Sequence, residues 1–163
     1  MRKKNKENKE FSHFQELANE WWKPKGKFEI LHQINPLRIQ YIRKNIINEN
    51  FQNNQKKILK NIDILDLGCG GGLICEPLAK MGANVTGIDF VKENINIAMN
   101  HAKKSNLKIN YYFKNINSLK IQKKFDVIII LEVIEHIKEW EKIIKNIIVN
   151  LKPNGKIIFS TIN

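Results

Sequence analysis

The sequence predicts an α/β protein in which a doubly wound parallel sheet is covered by helices on both faces. From residue 62 onwards, short apolar runs typical of strands alternate with segments of helical spacing. The strand segments contain continuous apolar runs, such as "VIII", as expected for strands that are buried on both faces. A glycine-rich turn follows the first of them directly, at the position where open α/β sheets bind ligands. The expected strand order is 3-2-1-4-5.

The sequence predicts five strands and three helices from residue 62 onwards. The predicted strands are "IDILDLG", "NVTGID", "INYYF", "FDVIIIL" and "KIIFSTI". The predicted helices between them are "LICEPLAKMG", "ENINIAMNHAKKS" and "WEKIIKNIIVNL", of which the first ends at Gly82 and the last at "KPNG". No internal repeat is visible.

Three segments make up the chain. Residues 1–10 are basic and poor in apolar residues, which predicts a disordered tail. Residues 11–61 form a helical extension, and residues 62–163 form the α/β domain. Within the extension, the pair Asn35-Pro36 predicts the start of a helix that runs to about Asn48, with Leu37, Tyr41 and a pair of isoleucines turned inward.

The chain carries a net charge of +12. Such a charge suits nucleic acid or an anionic membrane surface. The lysines form no stripe and the aromatic residues do not interleave with them, so compositional drift explains the charge better than a nucleic-acid site does.

No apolar stretch approaches the length of a membrane span, and no secretory signal is visible. Cys69 and Cys75 are therefore expected to be reduced cytosolic thiols.

The glycine-rich turn reads "LDLGCGGG" and spans Asp66 to Gly72. A dinucleotide-binding loop would place a third glycine where Leu73 stands. The pattern Asp-x-Gly-x-Gly-x-Gly resembles instead motif I of the class I S-adenosylmethionine-dependent methyltransferases. Asp89 ends the second strand about 20 residues further on, where this type of fold places a carboxylate on the ribose hydroxyls. The alternative role for Asp89 is to cap the helix that follows.

Further stretches narrow the resemblance. The paired tryptophans before "GKF", then "LHQINPLR", "LDLGCGGG", "VTGID", "EVIEH" and "STIN", resemble in this order the ubiquinone biosynthesis O-methyltransferases. The resemblance covers residues 11–163. It implies a Rossmann-like fold and the S-adenosylmethionine-dependent methylation of a catechol hydroxyl on a polyprenylated ubiquinone precursor. It also implies which residues contact the cofactor: Arg38 at the methionine carboxylate, and Gly68, Asp89 and Leu131.

The sequence departs from the family in three places. Leu131 stands where many relatives have methionine, and Asn117 stands where relatives often have an acid. The family fold also continues with two more strands after the fifth, so the chain is expected to be either a fragment or a shortened form.

Glu132, Glu135 and His136 follow the fourth strand. If the chain becomes α-helical there, the three side chains can converge. They would then bind a divalent cation, which the family resemblance favours and for which the oxygen-rich set suits Mg²⁺, or His136 would act as the general base that takes the phenolic proton. The structural alternative is that glutamates simply favour a helix N-terminus.

The expected partners follow from the resemblance. The substrate's polyprenyl tail lies in a bilayer, so a cytoplasmic protein with transient contact to the inner face of the membrane is expected, together with other ubiquinone-biosynthesis proteins. Trp21 and Trp22 either assist this contact or pack on the domain as a lid. The competing hypothesis is a truncated non-catalytic protein, or a basic nucleic-acid-binding protein that retains a nucleoside site; no nucleic acid is expected under the preferred one.

Overall fold

A computed structural model gives the fold and describes residues 17–47, 57–115 and 121–161. The predicted basic tail, residues 11–16 of the predicted helical extension, Asn48 and Asn117 lie outside the described residues. The described part of the extension begins at Leu17 and contains a short 3-10 helix, Ala18–Glu20.

The sheet has five strands, and every neighbouring pair is parallel. Its order is β3-β2-β1-β4-β5, which confirms the predicted topology. Because the order reverses next to β1, the carboxyl ends of β1 and β4 border a crevice. The strands are β1 Asp63–Leu67, β2 Asn84–Asp89, β3 Asn110–Phe113, β4 Phe125–Leu131 and β5 Leu151–Ser160.

Helices cover both faces of the sheet. They are α1 Glu29–Ile46, α2 Cys75–Lys80, α3 Lys92–Lys104 and α4 Trp140–Ile148. The core between the sheet and α1, α2 and α3 includes Ile42, Ile64, Leu78, Ile95 and Ile129. The core between the sheet and α4 includes Leu65, Phe125, Ile128, Ile143 and Ile147. Since neighbouring residues of one strand enter opposite cores, the central strand β4 is apolar at nearly every position.

Helix α1 differs from its prediction in both its start and its buried face. It begins at Glu29, so Pro36 lies inside the helix. Asn35 is not a cap; its side-chain amide donates a hydrogen bond to the carbonyl oxygen of Leu73, 2.9 Å away. Leu37 and Tyr41, four residues apart on one stripe, are 67% and 61% exposed, whereas Ile42 is 1% exposed. The helix therefore docks on the domain by a neighbouring stripe.

The end of the sheet opposite the crevice is held by ion pairs. Lys152, at the start of β5, places its Nζ 2.7 Å from Asp63 Oδ2 and 2.8 Å from Asp126 Oδ2. These contacts join β5 to β1 and β4. Lys152 belongs to "KPNG", which the sequence pattern predicts as the end of the last helix, whereas in the structure it is part of β5. Within the described ranges, no helix combines the length and apolarity that a membrane span requires.

The docking of α1 gives a stability prediction. Ile42→Ala should lower the free energy of unfolding by about 2–5 kcal/mol, because it leaves a cavity in a packed core. The matched change Leu37→Ala on the exposed stripe should alter it by no more than about 0.5 kcal/mol. Urea denaturation followed by circular dichroism measures both. Equal effects of the two substitutions would show that α1 docks in another register.

Candidate functional site

The turn after β1 needs glycine for two separate reasons. Gly68, Gly70 and Gly72 have φ values of +79°, +51° and +90°, in the left-handed region that favours glycine. The turn is also crowded, since a Cβ on Gly70 would lie 2.4 Å from the Trp21 ring. The amides of Gly68 and Cys69 both donate to the carbonyl oxygen of Ile88, at 2.7 and 3.0 Å. The turn is therefore fixed to the end of β2.

Asp89 completes this attachment. Its carboxylate is 4% exposed and accepts hydrogen bonds from the backbone amides of Gly70, at 2.9 Å, and Val91, at 2.8 Å. The Asn94 amide lies 3.4 Å from the same group. Burial raises the pKa of Asp89, while these hydrogen bonds oppose the rise. A carboxylate has about four acceptor positions, so Asp89 can organise the turn and still accept a bond from a ligand hydroxyl.

A cavity of about 870 Å³ opens beside the glycine turn. This is within the range of small-molecule sites. All four residues predicted to contact a cofactor line it: Arg38, Gly68, Asp89 and Leu131. Glu132 and His136 also line it, and Glu135 is not among the lining residues.

Arg38 reaches the cavity from α1 and meets the end of β4. Its Nη2 lies 2.7 Å from Glu132 Oε1, and both side chains are 19% exposed. The Ser160 hydroxyl donates to the same oxygen, also at 2.7 Å. Glu132 Oε2 is buried and has no hydrogen-bond partner among the described residues. Because a guanidinium has five N–H donors, Arg38 can hold Glu132 and still bind a second carboxylate.

The chain after β4 does not form the α-helical turn on which convergence of the three groups depends. Glu132 has a φ of +54°, and a 3-10 helix, Ile134–His136, follows. Glu135 is exposed and accepts a hydrogen bond from the Thr161 hydroxyl at 3.2 Å. In the part of the chain that the structure describes, no three His, Cys, Asp or Glu side chains are placed to hold a metal ion. In this arrangement the residues do not fit a bound cation.

Asp66, the acid of the glycine motif, is buried at 3% exposure and accepts a bond from the Cys75 thiol, with 3.1 Å between Sγ and Oδ2. Burial raises its pKa from 3.8 to about 7; the thiol bond opposes the rise and the charge of Asp89 adds to it. Asp66 therefore changes its charge near neutral pH at the edge of the cavity.

No local pattern assigns three further residues to the site, and one of them, Asn35, is predicted only as a helix cap. Asn94 connects Asp89 to the indole of Trp21, Phe28 stacks on that indole, and Asn35 holds the helix α2 side of the glycine turn through Leu73. The paired tryptophans and the stretch that contains Asn35 were the visible signals. No local pattern distinguishes Asn94, because its partner Trp21 lies 73 positions away in the chain.

A glycine turn after β1 and a buried acid after β2, facing one cavity where the strand order reverses, define a doubly wound α/β protein with a site for a nucleoside-bearing cofactor. Residues 58–163 match the model of the family described as "Methyltransferase domain". The chain belongs to this methyltransferase family.

Curated relatives match over almost the whole chain. The chain is 48% identical over 155 residues to a ubiquinone biosynthesis O-methyltransferase of Pelagibacter ubique (strain HTCC1062), and the alignment covers 95% of this chain and 65% of that protein. The corresponding Rickettsia akari (strain Hartford) protein is 43% identical over 157 residues, with 96% and 61% covered. These matches confirm the resemblance inferred from the motifs. The chain spans less than two thirds of the length of these relatives.

A solved structure supports the fold. The plantazolicin methyltransferase BpumL, in complex with a monoazolic desmethylPZN analog and SAH, superposes with a TM-score of 0.66 at 23% identity, covering 95% of this chain and 60% of that one. The chain thus has the fold of the S-adenosylmethionine-dependent methyltransferases.

The raised pKa of Asp66 predicts a pH dependence of stability. Between about pH 4 and pH 7, the folded protein keeps a proton that unfolded Asp66 has released, so this group makes the free energy of unfolding fall as pH rises through that window. Asp66→Asn removes the contribution. The stability of the variant relative to wild type should therefore increase from pH 4 to pH 7 in urea titrations.

Asp63→Asn is the matched control with the opposite sign. Burial works against ionisation of Asp63, but its ion pairs with Lys123 and Lys152 lower its pKa overall. Its stabilising contribution is present above the unfolded pKa and is lost as pH falls below it. The same pH trend for both variants would contradict the assignment to Asp66.

Proposed function

We propose that this protein transfers the methyl group of S-adenosylmethionine to a catechol hydroxyl of a polyprenylated ubiquinone precursor. The similarity to curated ubiquinone biosynthesis O-methyltransferases over 95% of the chain supports the reaction. The observation that carries the cofactor assignment is Asp89, a buried carboxylate that faces the cavity and is bonded to the glycine turn. The competing hypothesis of a nucleic-acid-binding protein has no such support.

The cavity has the groups that this cofactor needs. Asp89 accepts hydrogen bonds from the ribose hydroxyls, and the bare backbone at Gly68 lets the ligand lie close to the turn. Arg38 binds the methionine carboxylate with the donors that Glu132 leaves unused. Leu131 forms an apolar part of the wall. Phe90 and Phe113 also line the cavity and offer flat apolar faces for the adenine ring.

The chemical step requires a deprotonated phenol. An unperturbed phenol has a pKa of about 10, so a base must take its proton near neutral pH. We propose His136 for this role because it lines the same cavity as the cofactor residues. Glu132 Oε2 has no hydrogen-bond partner among the described residues, so a turn of the side chain towards the cavity lets it accept the hydrogen bond of the second catechol hydroxyl and orient the attacking oxygen for in-line displacement.

Mg²⁺ at Glu132, Glu135 and His136 stays a prediction, and no catalytic step is assigned to it. To bind a cation with all three, Glu132 would have to exchange Arg38 and Ser160 for the metal, and Glu135 would have to turn towards the cavity. The oxygen-rich composition of the set would suit Mg²⁺ if this happened.

We also propose transient contact with the inner face of the cytoplasmic membrane. The substrate tail is apolar, so the enzyme must meet it at the bilayer. Ile30, Leu37 and Tyr41 form an exposed apolar stripe along α1, with exposed fractions of 71%, 67% and 61%. Such a stripe can enter the headgroup boundary of an anionic membrane while basic side chains bind the lipid phosphates. Other ubiquinone-biosynthesis proteins are further proposed partners.

Calorimetry tests the cofactor assignment. The protein should bind S-adenosylhomocysteine and not NAD. Asp89→Asn should weaken S-adenosylhomocysteine binding by about 1.5–3 kcal/mol, the usual value of a hydrogen bond to a charged group. Glu141→Gln, which neutralises an exposed carboxylate on α4, is the matched control and should bind as wild type does. Unchanged binding by Asp89→Asn would remove Asp89 from the site.

Turnover of a short-chain polyprenyl catechol with labelled S-adenosylmethionine tests the base. His136→Ala should lower kcat by about 10²–10⁴-fold, with the largest defect below the pKa of the substrate phenol. Activity should survive a chelator. Loss of turnover in chelator, with S-adenosylhomocysteine binding intact and activity restored by Mg²⁺, would instead establish the metal prediction.

A further inference from the structure

The segment before α1 is attached to the cofactor site by two adjacent tryptophans that make different contacts. Trp22 stacks on His101 of α3, with 3.4 Å between ring centroids and 3° between planes. Its indole N–H donates to the carbonyl oxygen of Gly71, 2.9 Å away. Trp22 therefore joins the N-terminal segment to both a helix of the domain and the glycine turn.

The ring on which Trp22 stacks is itself held rigidly. His101 Nδ1 lies 2.6 Å from Glu76 Oε1, and Glu76 is completely buried on α2. A carboxylate in such a position fixes the plane of the imidazole, because rotation of the ring would leave a buried acid without this partner. The stacking surface for Trp22 is thus a fixed part of the domain.

Trp21 forms part of the cavity wall. Its indole N–H donates to Asn94 Oδ1 at 2.8 Å, and Phe28 stacks on the indole with 4.0 Å between ring centroids. The ring also covers the glycine turn, since a Cβ on Gly71 would lie 2.4 Å from it. Through Asn94 the indole is connected to Asp89.

We infer that Trp22 is a positioning residue that holds Trp21 as a closing wall of the cofactor cavity, and that the rate of cofactor release depends on this contact. The inference rests on the proposed function, because the ligand that Trp21 encloses is the S-adenosyl cofactor. Leaving the cavity on this side requires the Trp21 wall to move, and the Trp22–His101 stack resists that movement. A weaker stack should therefore shorten the residence of the ligand more than it slows its entry.

The three tryptophans of the sequence permit a direct test with S-adenosylhomocysteine as probe. Trp140→Phe removes the remaining tryptophan, which is half-exposed on α4, and should leave binding unchanged. In this background, Trp22→Ala should weaken binding about tenfold, chiefly by faster dissociation in stopped-flow fluorescence. Trp22→Phe keeps a stacking ring but loses the bond to Gly71, and should cost about threefold.

A control of matched stability separates positioning from general loosening. Ile143→Ala opens the core on the opposite face of the sheet and should lower thermal stability without changing ligand dissociation. If Trp22→Ala and Ile143→Ala lower stability equally and neither changes the dissociation rate, the inference is wrong.

The Trp22→Phe, Trp140→Phe double variant provides a second readout, should Trp22→Ala not fold. Trp21 is then the only tryptophan, so saturating S-adenosylhomocysteine should shift its emission and protect it from acrylamide quenching. Unchanged emission and quenching at saturation would overturn the inference while leaving the proposed function intact. Failure of the wild-type protein to bind S-adenosylhomocysteine would overturn both.

Discussion

The hydrogen bonds between the turn after β1 and the end of β2 constrain the rest of the site. Gly68 and Cys69 donate to Ile88, and Gly70 donates to Asp89. They hold three consecutive amides of the turn at the carboxyl end of the neighbouring strand, so the turn cannot move without breaking its hydrogen bonds to β2. The cavity lies beside this fixed turn, and the other residues of its wall are placed relative to it.

Two parts of the chain surround this turn. The first is the α/β domain, in which Asp66 and Glu76 are buried close to the turn and have specific partners, Cys75 and His101. Buried acids of this kind reduce stability unless they are satisfied, which is consistent with their presence at a functional site. The second part is the N-terminal segment with α1, which brings Arg38 into the wall of the cavity. The site is therefore shared between the domain and its extension.

The contact between Arg38 and Glu132 changes how the acidic stretch after β4 is understood. As a local pattern, two glutamates and a histidine within five positions indicate a metal or acid–base site about as well as an ordinary helix start. The fold gives Glu132 an arginine and a serine as partners and turns Glu135 towards Thr161. A carboxylate that is already paired with a guanidinium binds a cation less readily. This pairing is the reason that the role proposed for the stretch is proton transfer by His136 and not cation binding.

The sequence by itself determined the order and type of the strands, their parallel arrangement, the glycine turn and the acid at its partner strand. These features are encoded locally, by apolar runs buried on both faces and by glycine where φ is positive. Tertiary structure alone decided which stripe of α1 is buried, since Leu37 and Ile42 are equally apolar and only packing against the domain distinguishes them. It likewise decided the partner of Glu132, because Arg38 lies 94 positions away in the chain and no local preference encodes a contact of that separation.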